Sequence, residues 1–341
     1  MTEQTQMRRE VAEIPDAVER LLADGADAVR SAAREIAARD PAFFVTVARG
    51  SSDHACTYLK YAAELLCGLP VASVGPSVAS IYKAPLRMAG GVCVSVSQSG
   101  RSPDIVDLTR TAKAGGAYGI AVTNDPASPL ALAADATLDI HAGPELSVAA
   151  TKTFITSALV CLWMLAETAA DDALLAAIRD LPERLAEAAA ADWSALAEAA
   201  GNKSLYTLGR GPSWAISNEA ALKFKEVCQL HAESYSSAEV LHGPVSIVDR
   251  GFPVLAFTAS DAAEGAVIEV ADALAAKGAA VFVTSDRATR ARSLPTIRTR
   301  HWLTDPLAAI VSFYSTIETL AVARGLDPDT PRHLSKVTET T

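Results

Sequence analysis

The sequence predicts an α/β protein made of two tandem, doubly wound parallel sheets, and three observations lead there. Short Val-, Ile- and Phe-rich runs alternate with longer Ala-, Leu-, Lys- and Glu-rich segments of helical period, the pattern of parallel strands joined by crossover helices. That alternation occurs twice along the 341 residues, a length that suits two domains of ordinary size. Landmarks of the first half also recur in the second: Arg49-Gly50 as Arg210-Gly211, Ser97-Gln98-Ser99 as Thr258-Ala259-Ser260, and "VTND" (122–125) as "VTSD" (283–286), each shifted by 161 residues. A constant shift over separated landmarks marks a tandem duplication.

The elements follow in order. A helical arm is expected over 1–26 and a first α/β domain over 27–166, with strands "FFVTVA" (43–48), "GVCVSVS" (91–97), "YGIAVT" (118–123) and "ATLDI" (136–140). Residues 167–201 carry apolar spacing at Leu174, Leu175, Ile178, Leu181 and Leu185, which predicts a helical connection. The second domain is expected over 202–323, with strands "SLYTLG" (204–209), "PVLAFT" (253–258), "AVFVTS" (280–285) and "TRHWL" (299–303), followed by a tail over 324–341.

Forty acidic against thirty basic residues, a formal charge of −10, speak against a nucleic-acid groove or an anionic membrane as partner. A small anion remains possible, because a few amides at a helix N-terminus hold a phosphate regardless of distant charge. Five cysteines without a C-x-x-C pair, mostly within apolar runs, are expected to be reduced and buried, as in a cytoplasmic protein. The N-terminus has no apolar signal core, and the run "ALVCLWMLA" (158–166) is too short for a membrane span.

The stretch "SVSQSGRSPD" (95–104) ends the best strand on small polar groups. At the C-terminal edge of a parallel sheet, Ser97, Gln98, Ser99 and Ser102 can each donate a hydrogen bond, and Gly100 allows close backbone approach, so the loop reads as a phosphate cradle. A Ser-rich helix cap without a ligand is the alternative. The second copy, "TASDAAEG" (258–265), has Ala259 in place of the glutamine and adds Asp261 and Glu264, which would repel a phosphate. One copy is expected to bind and the other to scaffold. Two more polar loops open helices: "ARGSSDHA" (48–55), with Ser51 and Ser52, and "GPELSVAATKTF" (143–154), with Ser147, Thr151 and Lys152.

In "NEAALKFKEVCQLHAESYSSAEVLHGP" (218–244), Glu219, Lys223 and Glu226 fall at i, i+4 and i+7 on one helical face. A solvated Glu-Lys face is one reading. Apolar neighbours Ala220, Leu222, Val227 and Leu230 favour burial of at least one charge, and a buried carboxylate beside a lysine is a candidate proton-transfer group. His242 precedes Gly-Pro in a loop, and Lys336 lies in a tail with two prolines, "DPDTPRHLSK" (327–336).

Five motifs in order, "SVSQSGRSPD", "ELSVAATKTF", "EAALKFKEV", "HAESYSSAEVLHGP" and "DPDTPRHLSK", closely resemble the sugar isomerase (SIS) family over residues 7 to 337. Within it the chain is similar to the isomerase half of glutamine:fructose-6-phosphate amidotransferase and to free-standing SIS-type glucosamine-6-phosphate deaminases. The resemblance implies two flavodoxin-like SIS domains, no metal and no cofactor. It implies that Ser97, Gln98, Ser99 and Ser102 hold a sugar phosphate, with Ser52, Val148 and Thr151 also on the substrate. It further implies that Glu226 moves a proton between C1 and C2, that Lys223 assists at a hydroxyl, and that His242 opens the sugar ring. Lys336 would reach over the site and form an imine with the ketose. The histidine would come across the interface of a homodimer or higher oligomer.

Two departures bear on function. The family's Ser-Thr-Lys is Ala150-Thr151-Lys152 here, which removes one hydroxyl from the substrate pocket. The chain begins Met1-Thr2 and enters the isomerase part directly, so a glutaminase step with an N-terminal cysteine is not expected. The first expectation is conversion of glucosamine 6-phosphate to fructose 6-phosphate and ammonia. A fructosamine-6-phosphate deglycase is the second, and a non-catalytic sugar-phosphate sensor the third.

Overall fold

The computed structural model describes residues 4–201 and 204–336. Positions 1–3, 202–203 and 337–341, and with them the last five residues of the expected tail and the expected boundary at 202, lie outside the described residues. The chain divides into two compact units. One comprises Asp16–Glu145, Lys152–Arg179 and the tail from Ser335; the other takes in the N-terminal stretch to Pro15, Leu146–Thr151 and Asp180–Leu334.

The first unit is built on a parallel sheet of β1 (Phe43–Val47), β2 (Val71–Ser73), β3 (Gly91–Val96), β4 (Tyr118–Thr123) and β5 (Ala136–Asp139), in the order β2-β1-β3-β4-β5. The other unit contains β6 (Ser204–Gly209), β7 (His231–Ser236), β8 (Pro253–Ala256), β9 (Ala280–Val283) and β10 (Arg292–Ser293), in the order β7-β6-β8-β9-β10. The two orders are the same topology. Central strand β3 is buried at every position, as expected of a parallel strand covered by helices on both faces. The duplication extends to backbone detail: Gly50 and Gly211, each just ahead of a helix, take φ of +57° and +59°.

The helices that bear the buried charges and the candidate loops are α1 (Gln6–Ala12), α2 (Ser51–Leu66), α3 (Pro103–Ala114), α4 (Lys152–Ala169), α5 (Pro212–Cys228), α6 (Glu264–Ala276) and α7 (Asp305–Ala323). Helix α4 is buried continuously from Lys152 to Ala166, so "ALVCLWMLA" is a core helix of the first unit. Helix α7 is long and apolar enough to cross a membrane by length and composition, and most of it is buried in the core of its own unit. Burial pushes the Cys93 and Cys161 thiols up to about 11 and about 12.

Seven of the eight expected strands form. The eighth, "TRHWL" (299–303), does not: the Thr299 amide and hydroxyl donate to Asp305 Oδ1 at 2.7 and 2.8 Å, which draws this stretch into the turn that starts α7. The sheet edge there is β10, paired with Phe282 and Val283. Strands β2 and β7 were not expected. β2 has only three residues, and β7 reads "HAESYS" because an edge strand of half-exposed residues needs little apolar surface.

At the centre of the second unit Phe313 of α7 packs edge-on against Phe224 of α5, with ring centroids 5.1 Å apart, and lies 6.2 Å from Phe257. Phe313 is fully buried. Phe313→Ala should lower unfolding free energy by about 3–5 kcal/mol in urea titration; a loss under ~1 kcal/mol would contradict this packing.

Candidate active site

Parallel pairing brings the loops after β1, β3, β4 and β5 to one edge of the first sheet. The loop after β3 is held by its carbonyls. Gln98 O accepts from the Asn124 amide at 3.0 Å and from Thr123 Oγ1 at 3.2 Å, and Gly100 O accepts from the Leu130 amide at 3.0 Å. These bonds fix the loop from behind. Gly100 takes φ of +61°, and a Cβ there would collide with the Ser128 hydroxyl, so glycine is required on both counts. Gly100 N donates to Ser97 O and to Ser97 Oγ (3.1 and 3.2 Å), and Arg101 N to Ser99 Oγ (3.3 Å). Ser102 occupies the cap position of α3, yet its hydroxyl makes no cap hydrogen bond.

Ser52 stands in the first turn of α2, after the adjacent strand β1, and so on the same sheet edge. Arg49 joins the two loops. Its Nε and Nη2 donate to Asp104 Oδ2 at 3.2 and 2.9 Å, with Asp104 fully buried at the start of α3. Neither member was expected as a site residue, although Arg49-Gly50 is one of the repeated landmarks. Asn124 also emerges from the structure: beyond its amide bond to Gln98, its side chain bonds Ala142 N and Gly143 O at 3.0 and 2.8 Å. A cleft of about 500 Å³ lies at this edge, lined by Arg20, Asn124, Asp139, His141, Gly143 and Pro144.

Lys336 belongs to this unit as well. Its Nζ donates to Glu145 Oε2 at 2.7 Å, and Glu145, fully buried, also accepts from the Thr153 amide (3.0 Å) and hydroxyl (2.7 Å). Burial works against the Glu145 charge, but the Lys336 ammonium and the Thr153 donors outweigh it and hold the carboxyl below the usual range. Lys152 is a support residue, buried, with Nζ donating to Pro144 O at 2.8 Å.

In the other unit the three residues of one helical face meet as spacing predicts. Lys223 Nζ lies 3.0 Å from Glu219 Oε1 and 2.6 Å from Glu226 Oε2. Lys223 and Glu219 side chains are fully buried, whereas Glu226 keeps 20% exposure, so only Glu226 faces outward. Tyr314 of α7 donates to Glu219 at 3.2 Å, a partner 95 residues away that no local pattern discloses. Burial would push the Lys223 ammonium down, but the two carboxylates prevail and hold it well above the ordinary lysine range. Lys223 is thus a fixed cation and hydrogen-bond donor.

His242 sits in an exposed turn after β7, between Leu241 and the positive-φ Gly243. Glu226 lies fourteen residues into α5, about 20 Å along its axis from the sheet edge where β6 ends. Among the described residues Glu226 pairs with Lys223, and no hydrogen bond or ion pair joins it to His242. Val148 and Thr151 lie in the segment Leu146–Thr151, where Val148 N donates to Asp329 O at 3.1 Å.

The second copy of the serine loop is filled by the protein itself. Ser260 N, the counterpart of Ser99 N, donates to Asp305 Oδ2 at 2.8 Å. Glu264 accepts from Arg298 (2.6 Å), Arg287 (2.9 Å) and Ser285 Oγ (2.9 Å). Of the two acids expected to repel a phosphate, Glu264 is paired with Arg298 and Arg287, and Asp261 Oδ1 accepts from the Ala263 amide at 2.9 Å.

The Glu145 arrangement has a pH signature. A carboxyl held below its ordinary value stabilises the fold above that value and loses the contribution as pH falls through the folded value. Glu145→Gln should cost about 1–3 kcal/mol at pH 7, and the gap to the parent should close as pH drops below about 4.5, followed by urea unfolding across pH. A gap that stays constant with pH would refute the ion pair.

The SIS domain family matches residues 43–168 and 200–323. The glutamine–fructose-6-phosphate aminotransferase [isomerizing] of Aeropyrum pernix is 36% identical over 314 residues, covering 85% of this chain and 50% of that protein. Its counterpart in Symbiobacterium thermophilum is 34% identical over 318 residues, with the same coverage. The chain spans about half the length of these curated relatives. Among solved structures, a proposed phosphosugar isomerase from Silicibacter pomeroyi is 64% identical with a TM-score of 0.93, covering 96% of this chain and all of that one. The C-terminal domain of glucosamine-fructose-6-phosphate aminotransferase from Francisella tularensis, at 24% identity and TM-score 0.82 over 97% of this chain and 99% of its own, shares the fold. With two matched segments covering most of its length, each on one of two like parallel sheets, the chain belongs to the SIS domain family.

Proposed function

We propose that the chain is a phosphosugar aldose-ketose isomerase of deaminase type, converting glucosamine 6-phosphate and water to fructose 6-phosphate and ammonia in the cytoplasm, as at least a homodimer. The observation that carries this reading is the Glu219-Lys223-Glu226 cluster. A carboxylate with one accessible side, paired with an ammonium 2.6 Å away, is what a proton shuttle between adjacent carbons requires. Glu226 takes the proton from C2 of the ring-opened sugar and returns it to C1; water then adds at C2 and ammonia leaves. Lys223 steadies Glu226 and donates to a neighbouring hydroxyl.

Ser97, Gln98, Ser99 and Ser102, with Ser52, hold the phosphate end, and Val148 and Thr151 line the sugar. The Ser102 hydroxyl not used in capping supports this assignment. Lys336, once released from Glu145, meets the ketose carbonyl. His242 opens the ring in the partner subunit's site, and its exposed turn, flanked by exposed Leu241 and Ile247, supports that placement. The Aeropyrum pernix and Silicibacter pomeroyi relatives support a phosphosugar substrate.

The purified chain at millimolar glucosamine 6-phosphate should release ammonia, and Glu226→Gln should lower the rate about 10³-fold. No release would overturn the proposal, and turnover confined to a 6-phosphorylated fructosamine would transfer it to a deglycase, a reading that Ala150 in place of the family's serine keeps in the test. Mixing inactive His242→Asn and Glu226→Gln proteins after subunit exchange should restore about a quarter of parental activity, since half the dimers then carry one intact site. Absence of complementation would place His242 in its own subunit's site.

A further inference from the structure

We infer that Glu10 of α1 is a positioning residue for the segment Leu146–Thr151. Its place in the sequence is already unusual. Met7, Glu10, Val11 and Ile14 form the buried stripe of the N-terminal helical region, and Glu10 is the one charged side chain among them, with no exposed surface. A carboxylate in such a stripe is unfavourable unless it is hydrogen-bonded, and an apolar side chain would pack there more readily.

The carboxylate is committed to a loop. Glu10 Oε1 accepts from the Leu146 amide, both oxygens lie 3.3 Å from the Ser147 amide, and Gln6 Nε2 donates to Oε1 at 3.1 Å. The next amide, Val148 N, donates to Asp329 O at 3.1 Å. Asp329 in turn accepts the Gln6 and Met7 amides on its two carboxylate oxygens, each at 2.7 Å, so it caps α1. Three successive amides of one loop are thus assigned to acceptors near the two ends of the chain. The loop cannot shift by a residue without leaving amides or a carboxylate without partners. What this arrangement sets is the backbone position of Val148, and through it the start of the turn that leads to Thr151.

The kinetic part of the inference rests on the reading above, which puts Val148 and Thr151 on the sugar; the structural part does not. Glu10→Gln keeps the shape but offers one acceptor oxygen in place of two. It should accelerate hydrogen exchange of the Leu146 and Ser147 amides about tenfold or more while the β6 amides of Leu205 and Thr207 keep their protection. KM for glucosamine 6-phosphate should rise about tenfold with kcat within about threefold, and Thr151→Ala should do less in the Glu10→Gln background than alone. Glu10→Asp, which keeps the charge on a shorter arm, should fall between parent and Glu10→Gln. Unchanged exchange at Leu146 and Ser147, or equal loosening of β6, would overturn the inference. If the chain turns over no sugar phosphate at all, the exchange result alone decides it, and the functional reading fails separately.

Discussion

Parallel strand pairing governs where this protein can place its chemistry. Because each strand of a parallel sheet runs the same way, every strand-to-helix loop emerges at one edge, and helix N-termini with their unsatisfied amides collect there. The loops after β1 and β3, which carry Ser52 and the 97–102 cradle, are neighbours for that reason alone. Arg49 and Asp104 then fasten them. Each side chain added to the edge acts on an arrangement the sheet has already made.

A second theme is how the chain keeps charge in dry places. Lys223 has no exposed side-chain surface, and two carboxylates flank it. Glu145 is equally buried and is held by an ammonium, an amide and a hydroxyl. Both solutions follow one rule: a buried charge survives when every hydrogen-bonding direction is answered. They differ in adaptability. The lysine is locked between residues of its own helix, whereas Glu145 is held in part by Lys336, which is a quarter exposed and 191 residues distant.

The sequence disclosed what depends on local pattern. The duplicated fold was legible because central strands covered on both faces must be continuously apolar, and because the shift of 161 residues survives in the strand order and in the paired glycines. The Glu219-Lys223-Glu226 face was legible because helical spacing is geometric. What was hidden depends on distant partners: Tyr314 against Glu219, Arg49 against Asp104 and Lys336 against Glu145 have no signature short of the tertiary fold. The misplaced strand at 299–303 has the same origin, since Thr and Trp favour a strand locally and a single carboxylate, Asp305, redirects the backbone.

The filled cradle of the second repeat has an evolutionary and energetic side. An acid built into the chain, 45 residues from the amide it serves, has an effective concentration that no dissolved metabolite can match, so it never departs. After duplication, one descendant loop therefore became a permanent strut, held by a carboxylate of its own chain. The molecule carries two copies of one ancestral loop, of which the sealed one contributes rigidity.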